Sequence, residues 1–115
     1  MQGSNMCFEG ARSILIVDDD EIGTNARAAF LNYLGFSVAT AYSAKEGLIR
    51  AQEESHDVVI VDFDMPEMNG LEMIDRLRSY GYRGTVVMLS GRITEPGQRN
   101  GYSYDRFFSK GESII

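Results

Sequence analysis

Apolar residues fall along this chain in two kinds of run, and the alternation between them predicts the architecture. Val58-Val59-Ile60-Val61 is a continuous stretch of β-favouring residues that stops at Asp62. Unbroken apolarity is what a strand needs when both of its faces are covered, the usual state of a central parallel strand. Ser13-Ile14-Leu15-Ile16-Val17 is a second such run and ends in Asp18-Asp19-Asp20-Glu21. Residues 36–41 alternate and fit a short strand, and residues 85–89 form another that runs straight into Ser90. Between these runs the spacing becomes helical. In residues 21–34, Ile22, Ala26, Ala29, Phe30, Tyr33 and Leu34 recur as one stripe, and Gly35 is placed to end the helix in a left-handed turn. Ser43-Ala44-Lys45-Glu46 has capping-box spacing and opens a helix to about residue 54, with Ala44, Leu48 and Ala51 inward. Pro66 and Gly70 force a tight loop after Asp62. Leu71, Ile74 and Leu77 then give a third stripe, closed near Tyr80-Gly81.

Strand and helix therefore alternate, which predicts an α/β fold: a doubly wound parallel sheet with right-handed crossovers and helices on both faces. Residues 104–109 supply a fifth strand. Residues 91–101 hold Pro96-Gly97 and hardly any apolar position, so the fourth helix is expected to be irregular. The fifth helix should begin near Glu112, and only its first turn is present, so it is largely missing. The sheet face beside the first helix is then half covered, which predicts a homodimer formed through that face.

Length and charge narrow the picture. The 115 residues suit one domain, read as residues 12–115 and truncated at the start of the last helix, behind a flexible tail of residues 1–11. Seventeen acids against eleven bases, a net charge of -6, argue against direct nucleic-acid binding and leave room for a divalent cation. Cys7 is the single cysteine, so no internal disulfide forms and a cytoplasmic setting is expected. No apolar run approaches a membrane span.

Polar residues collect at one edge of the predicted sheet: Asp18 and Asp19, Asp62, Ser90 and Lys110, each at the carboxyl end of a strand. Open α/β sheets bind ligands at that edge. Taken singly, the acids read as helix caps, Ser90 as a turn residue and Lys110 as a solvated terminus. Together they make a chemical set. Clustered carboxylates repel unless a cation sits among them, and oxygen ligands suit a magnesium ion that keeps several waters. A carboxylate nucleophile, Mg2+, a lysine and a hydroxyl make up a phosphoryl-transfer site. His56, the only histidine, lies before the strand that ends at Asp62 and reads as structural. Met65, Met68, Met73 and Met88 read as loop and core packing.

The chain resembles the receiver domain of two-component response regulators. The resemblance is carried by Ile14-Leu15-Ile16-Val17-Asp18-Asp19-Asp20-Glu21, by Asp62-Phe63-Asp64-Met65-Pro66-Glu67-Met68-Asn69-Gly70, by Leu89-Ser90-Gly91 and by Phe107-Phe108-Ser109-Lys110. It implies a flavodoxin-like receiver topology and a phosphorelay role, with Asp62 phosphorylated by a sensor histidine kinase or a phosphotransfer protein. It also implies magnesium held by Asp19, Asp62 and the Asp64 main-chain carbonyl, with Asp18 helping directly or through water. Ser90 would close on the phosphoryl group, Lys110 would pair with it, and Phe107 would be the aromatic switch residue. Such a domain catalyses only its own phosphorylation and dephosphorylation. The family usually follows the lysine with proline; Gly111 stands here, which puts a cis bond after Lys110 in question. Two rival readings are a haloacid-dehalogenase-type phosphatase, suggested by Asp62-Phe63-Asp64, and a degenerate receiver that only binds partners. Pro66 speaks against the first, and the intact acids with Ser90 and Lys110 against the second.

Overall fold

The computed structural model describes residues 10–91 and 104–111; the irregular fourth helix, the start of the fifth and most of the expected tail lie outside those residues. Within them the chain runs β1 (Ser13–Val17), α1 (Glu21–Tyr33), β2 (Ser37–Ala41), α2 (Ala44–Glu53), β3 (Val58–Asp62), α3 (Gly70–Ser79), β4 (Thr85–Ser90) and β5 (Arg106–Ser109). All strand pairs are parallel and the sheet order is β2-β1-β3-β4-β5, the flavodoxin-like arrangement. β1 and β3 lie inside, and both are buried on both faces, which is why their sequences are apolar without interruption.

Alternate strand residues feed two cores. Leu15, Val17, Val59, Val61, Val86 and Met88 face α2 and α3, meeting Leu48, Met73, Ile74 and Leu77. Ile14, Ile16, Val58, Ile60, Val87 and Leu89 face the other way, with Ala28 and Leu31 of α1. Every one of these last six sheet residues is at most 1% exposed. On this face the inner-strand residues are buried, and among the described sheet residues Val38 of β2 and Phe108 of β5, on the two edge strands, stay partly exposed, so the sheet is bare at most along its edges.

Helix ends follow their residues. Gly35 (φ 107°) and Gly81 (φ 99°) take the left-handed conformation that closes α1 and α3. In both, the two reversed hydrogen bonds of that motif form: Phe36 N–H to Leu31 C=O and Gly35 N–H to Asn32 C=O, then Tyr82 to Leu77 and Gly81 to Arg78. Ser43 caps α2 by accepting from Glu46 N–H, but Glu46 reaches Tyr42 N–H at 2.8 Å instead of returning to Ser43. The reciprocal box occurs on α3, where Asn69 and Glu72 each accept the other's backbone N–H at 2.9 Å.

The face of α1 is a correction. Thr24, Ala28 and Leu31 point inward, while Ile22 and Tyr33 are each 85% exposed and Phe30 and Leu34 are about half exposed. Small side chains sit where the helix meets the sheet, and the larger apolar ones face outward. Met65, Met73 and Met88 are core as expected, and Met68 packs against it. His56 is buried just ahead of β3, its carbonyl accepting from the Tyr82 hydroxyl at 2.8 Å. Among the described residues no peptide bond is cis.

Candidate functional site

Parallel strands in one register bring their carboxyl ends to a common edge. Val17 pairs with Val61, Asp62 with Leu89 and Ser90 with Ser109, so the residues that follow or end these strands converge. Asp18, Asp62 and Ser90 are all buried, whereas Asp19 is exposed at the mouth. One carboxylate oxygen from each of Asp18, Asp19 and Asp62 lies within 4.8 Å of the other two. Lys110 is anchored by its N–H to the Ser90 carbonyl at 2.6 Å. Its Nζ reaches 3.1 Å from Asp18 Oδ2 and 3.3 Å from Asp62 Oδ1.

The electrostatics follow from that crowding. Burial pushes the Asp62 carboxyl up to about 7, and the charge on Asp18 adds to the rise against the pull of Lys110. Burial alone would lower the Lys110 ammonium, but Asp18 and Asp62 outweigh it and leave it above its ordinary value. Despite the nearby Lys110, Asp62 Oδ1 is buried without an aligned hydrogen bond. A buried carboxylate oxygen held only by one long ion pair, beside two further acids, is a fitting place for a hard divalent cation.

The loop after β3 is tied down by its own backbone. Phe63 N–H extends the ladder to Leu89 C=O at 2.8 Å, and Gly70 N–H returns to Phe63 C=O at 2.9 Å. A Cβ on Gly70 would lie 2.7 Å from the Asp62 carbonyl oxygen, so only glycine fits there without displacing the strand end. Asp64 sits exposed at the start of this loop. Phe107 does not join the acids: it lies half buried on β5, packed against the α2–α3 core.

A family model for the response regulator receiver domain matches residues 14–110. The chain belongs to that family. Among curated relatives, the receiver domain is 34% identical over 88 residues to the uncharacterised transcriptional regulatory protein YkoG of Bacillus subtilis, covering 76% of this chain and 39% of that protein. It is 39% identical over 85 residues to the sensory/regulatory protein RpfC of Xanthomonas campestris, covering 70% of this chain and 12% of that one. The chain thus spans well under half the length of these curated relatives. Among solved structures, chemotaxis protein CheY4 of Vibrio cholerae superposes with a TM-score of 0.80 at 26% identity, over 90% of this chain and 89% of that one. The receiver domain of the hybrid histidine kinase CckA does so with 0.73 at 28%, over 89% and 88%.

One residue at the receiver's acidic pocket escaped the sequence reading. Arg27 of α1 places Nη2 2.7 Å from Asp18 Oδ2, with its side chain only 23% exposed. The signal was present in the inward positions Thr24, Arg27, Ala28 and Leu31, where a basic residue interrupts a small and apolar face. Asp20 also has a defined place: it is the N-cap of α1, accepting from Gly23 N–H at 3.2 Å.

Proposed function

We propose that this receiver takes a phosphoryl group on Asp62 from the phosphohistidine of a sensor kinase or phosphotransfer protein. The supporting observation is the buried Asp62 carboxylate, its Oδ1 paired only with Lys110 and set beside Asp18 and Asp19. An Asp62 oxygen attacks phosphorus, the bond from phosphorus to the donor imidazole nitrogen breaks, and the imidazole leaves as its neutral form on taking up a proton. Asp19, Asp62 and the Asp64 carbonyl would hold Mg2+, with Asp18 assisting; the ion would supply charge neutralisation for the incoming oxygens. Lys110 binds and orients the phosphoryl group as a second cation. Ser90, buried one strand away, donates its hydroxyl to it. Phe107, on the strand that leads to Lys110, conveys the change to the surface. The chemistry is confined to the domain's own phosphorylation and dephosphorylation.

The exposed apolar stripe of α1, which begins with Ile22 in the helix's first turn, is the surface we assign to the phosphodonor protein. A cytoplasmic setting belongs to this reading; no helix among the described residues is long and apolar enough to cross a membrane. Family membership leaves the phosphatase reading without support. Intact-mass measurement after incubation with acetyl phosphate and magnesium tests the assignment. Wild type should gain one phosphoryl group, and neither Asp62→Asn nor chelated wild type should do so. An unmodified wild type would favour a binding-only receiver.

A further inference from the structure

We propose that Arg27 is a resident counter-cation of the acidic pocket, holding the Oδ2 of Asp18 out of direct metal ligation and lowering the pocket's affinity for a divalent ion. The inference deepens the metal-dependent reading above and rests on it.

The hydrogen bonds of Asp18 carry the argument. Its carboxylate is fully buried; Oδ1 accepts from Asp20 N–H at 3.0 Å, while Oδ2 meets Arg27 Nη2 at 2.7 Å and Lys110 Nζ at 3.1 Å. Both lone pairs of Oδ2 are thereby engaged. A metal ion bonding to that oxygen would have to displace one of two cations. Asp19, exposed, and Asp62, whose Oδ1 meets Lys110 Nζ alone at 3.3 Å, are more open than Asp18 Oδ2 with its two cations. Through Oδ2, Asp18 is then left to act by way of water, while Oδ1 carries only its bond from Asp20 N–H.

A purely stabilising role fits Arg27 poorly. Its Nε is buried with no acceptor, and such an orphan donor is a cost that an apolar side chain on this inward face would not carry. Gly23, one turn earlier, has no side chain; a Cβ there would strike the Asp20 carboxylate and lie 3.4 Å from Arg27 Nη2. The guanidinium therefore stands one carboxylate away from the ion's place, close enough for its charge to weaken divalent binding roughly tenfold.

Calorimetric titration with Mg2+ of wild type, Arg27→Met and Arg27→Lys, paired with urea unfolding in chelator, tests this. Arg27→Met should bind Mg2+ about tenfold more tightly than wild type, and Arg27→Lys should return to within about twofold of wild type. Arg27→Met should also be less stable in chelator, with the deficit closing as Mg2+ saturates the site. Unchanged or weaker Mg2+ binding by Arg27→Met would overturn the proposal and leave Arg27 a structural residue. If Arg27→Met does not fold in chelator, Arg27→Gln keeps one N–H donor for Asp18 while losing the charge. Tighter binding by that variant supports the role, and equal or weaker binding overturns it. Absence of Mg2+ binding in wild type and all variants would overturn both this inference and the metal-dependent reading, whereas a tenfold change with no phosphorylation of Asp62 would overturn only the latter's chemistry.

Discussion

Gly70→Ala should damage the metal pocket from a distance, and the geometry says by how much. The added Cβ would lie 2.7 Å from the Asp62 carbonyl oxygen, 2.9 Å from Phe63 Cα and 3.2 Å from the Asp62 carbonyl carbon. All three are backbone atoms of the strand end, so no side chain can swing away to make room. Relief requires α3 and the end of β3 to part by about half an ångström, since carbon-to-oxygen contacts settle near 3.3 Å. α3 resists, because Met73, Ile74 and Leu77 are locked in the core, each at most 1% exposed. Overpacking of this kind costs about 1–3 kcal/mol, and the gain from replacing glycine in a helix offsets at most about 1. A net loss of about 1–2 kcal/mol is expected, read as a lowered urea midpoint at unchanged slope. Gly81→Ala is the control. Nothing lies within 4 Å of its Cβ, but its φ of 99° makes alanine strained, for a similar loss of about 1 kcal/mol. Only the first variant shifts the backbone that carries Asp62 and Asp64, so only it should bind Mg2+ several-fold more weakly. Equal Mg2+ affinity in Gly70→Ala and Gly81→Ala would refute the claim that this contact positions the site. So would wild-type stability in Gly70→Ala.

Two further outcomes are expected. Asp19→Ala should weaken Mg2+ binding far more than Asp20→Ala in a calorimetric titration, because Asp20 is committed to capping α1; losing that cap should cost stability, about 1 kcal/mol, instead. Asp62 should make the metal-free protein less stable as pH rises: its folded pKa of about 7 lies above the unfolded value, so the stability it contributes is full below about pH 4 and is lost through pH 7. Allowing for solvent screening at the open edge, wild type should lose on the order of 2 kcal/mol relative to Asp62→Asn between pH 4 and 8 in chelator. Saturating Mg2+ at pH 8 should restore it, and parallel pH profiles for the two proteins would contradict the buried, raised carboxyl.

What the sequence disclosed and what it hid follow from where the information is stored. The inner strands were legible because burial on both faces demands unbroken apolar runs, and Gly35 and Gly81 were legible because few other residues turn a helix end at positive φ. Asp18, Asp62, Ser90 and Lys110 converge because each directly ends or follows a strand in a sheet of fixed register. The face of α1 was misread for the opposite reason. Its large apolar residues form the more conspicuous stripe, yet the helix sits on the sheet through Thr24, Ala28 and Leu31, and Ile22 and Tyr33 stay in solvent. Arg27 belongs to that same inward face, so the error in orientation concealed it. The inner-strand residues of the sheet face expected to be half covered are buried, a property of chain packing that residue spacing does not encode.

These observations give the pocket a charge logic. Three carboxylates share the edge with two resident cations, Arg27 and Lys110, and one negative charge is left over. In the absence of a metal Asp62 bears the cost: burial first, and the charge on Asp18 second, raise its pKa. A divalent ion would reverse the sign, leaving the pocket with a small net positive charge and Asp62 ionised and nucleophilic. That is the state best matched to an arriving phosphoryl group, which brings several negative oxygens into a buried site. Had Arg27 been apolar, the metal-free trio would carry a larger deficit and grip the ion harder. The pocket would then hold its cation more tightly while offering less positive charge to the phosphoryl oxygens.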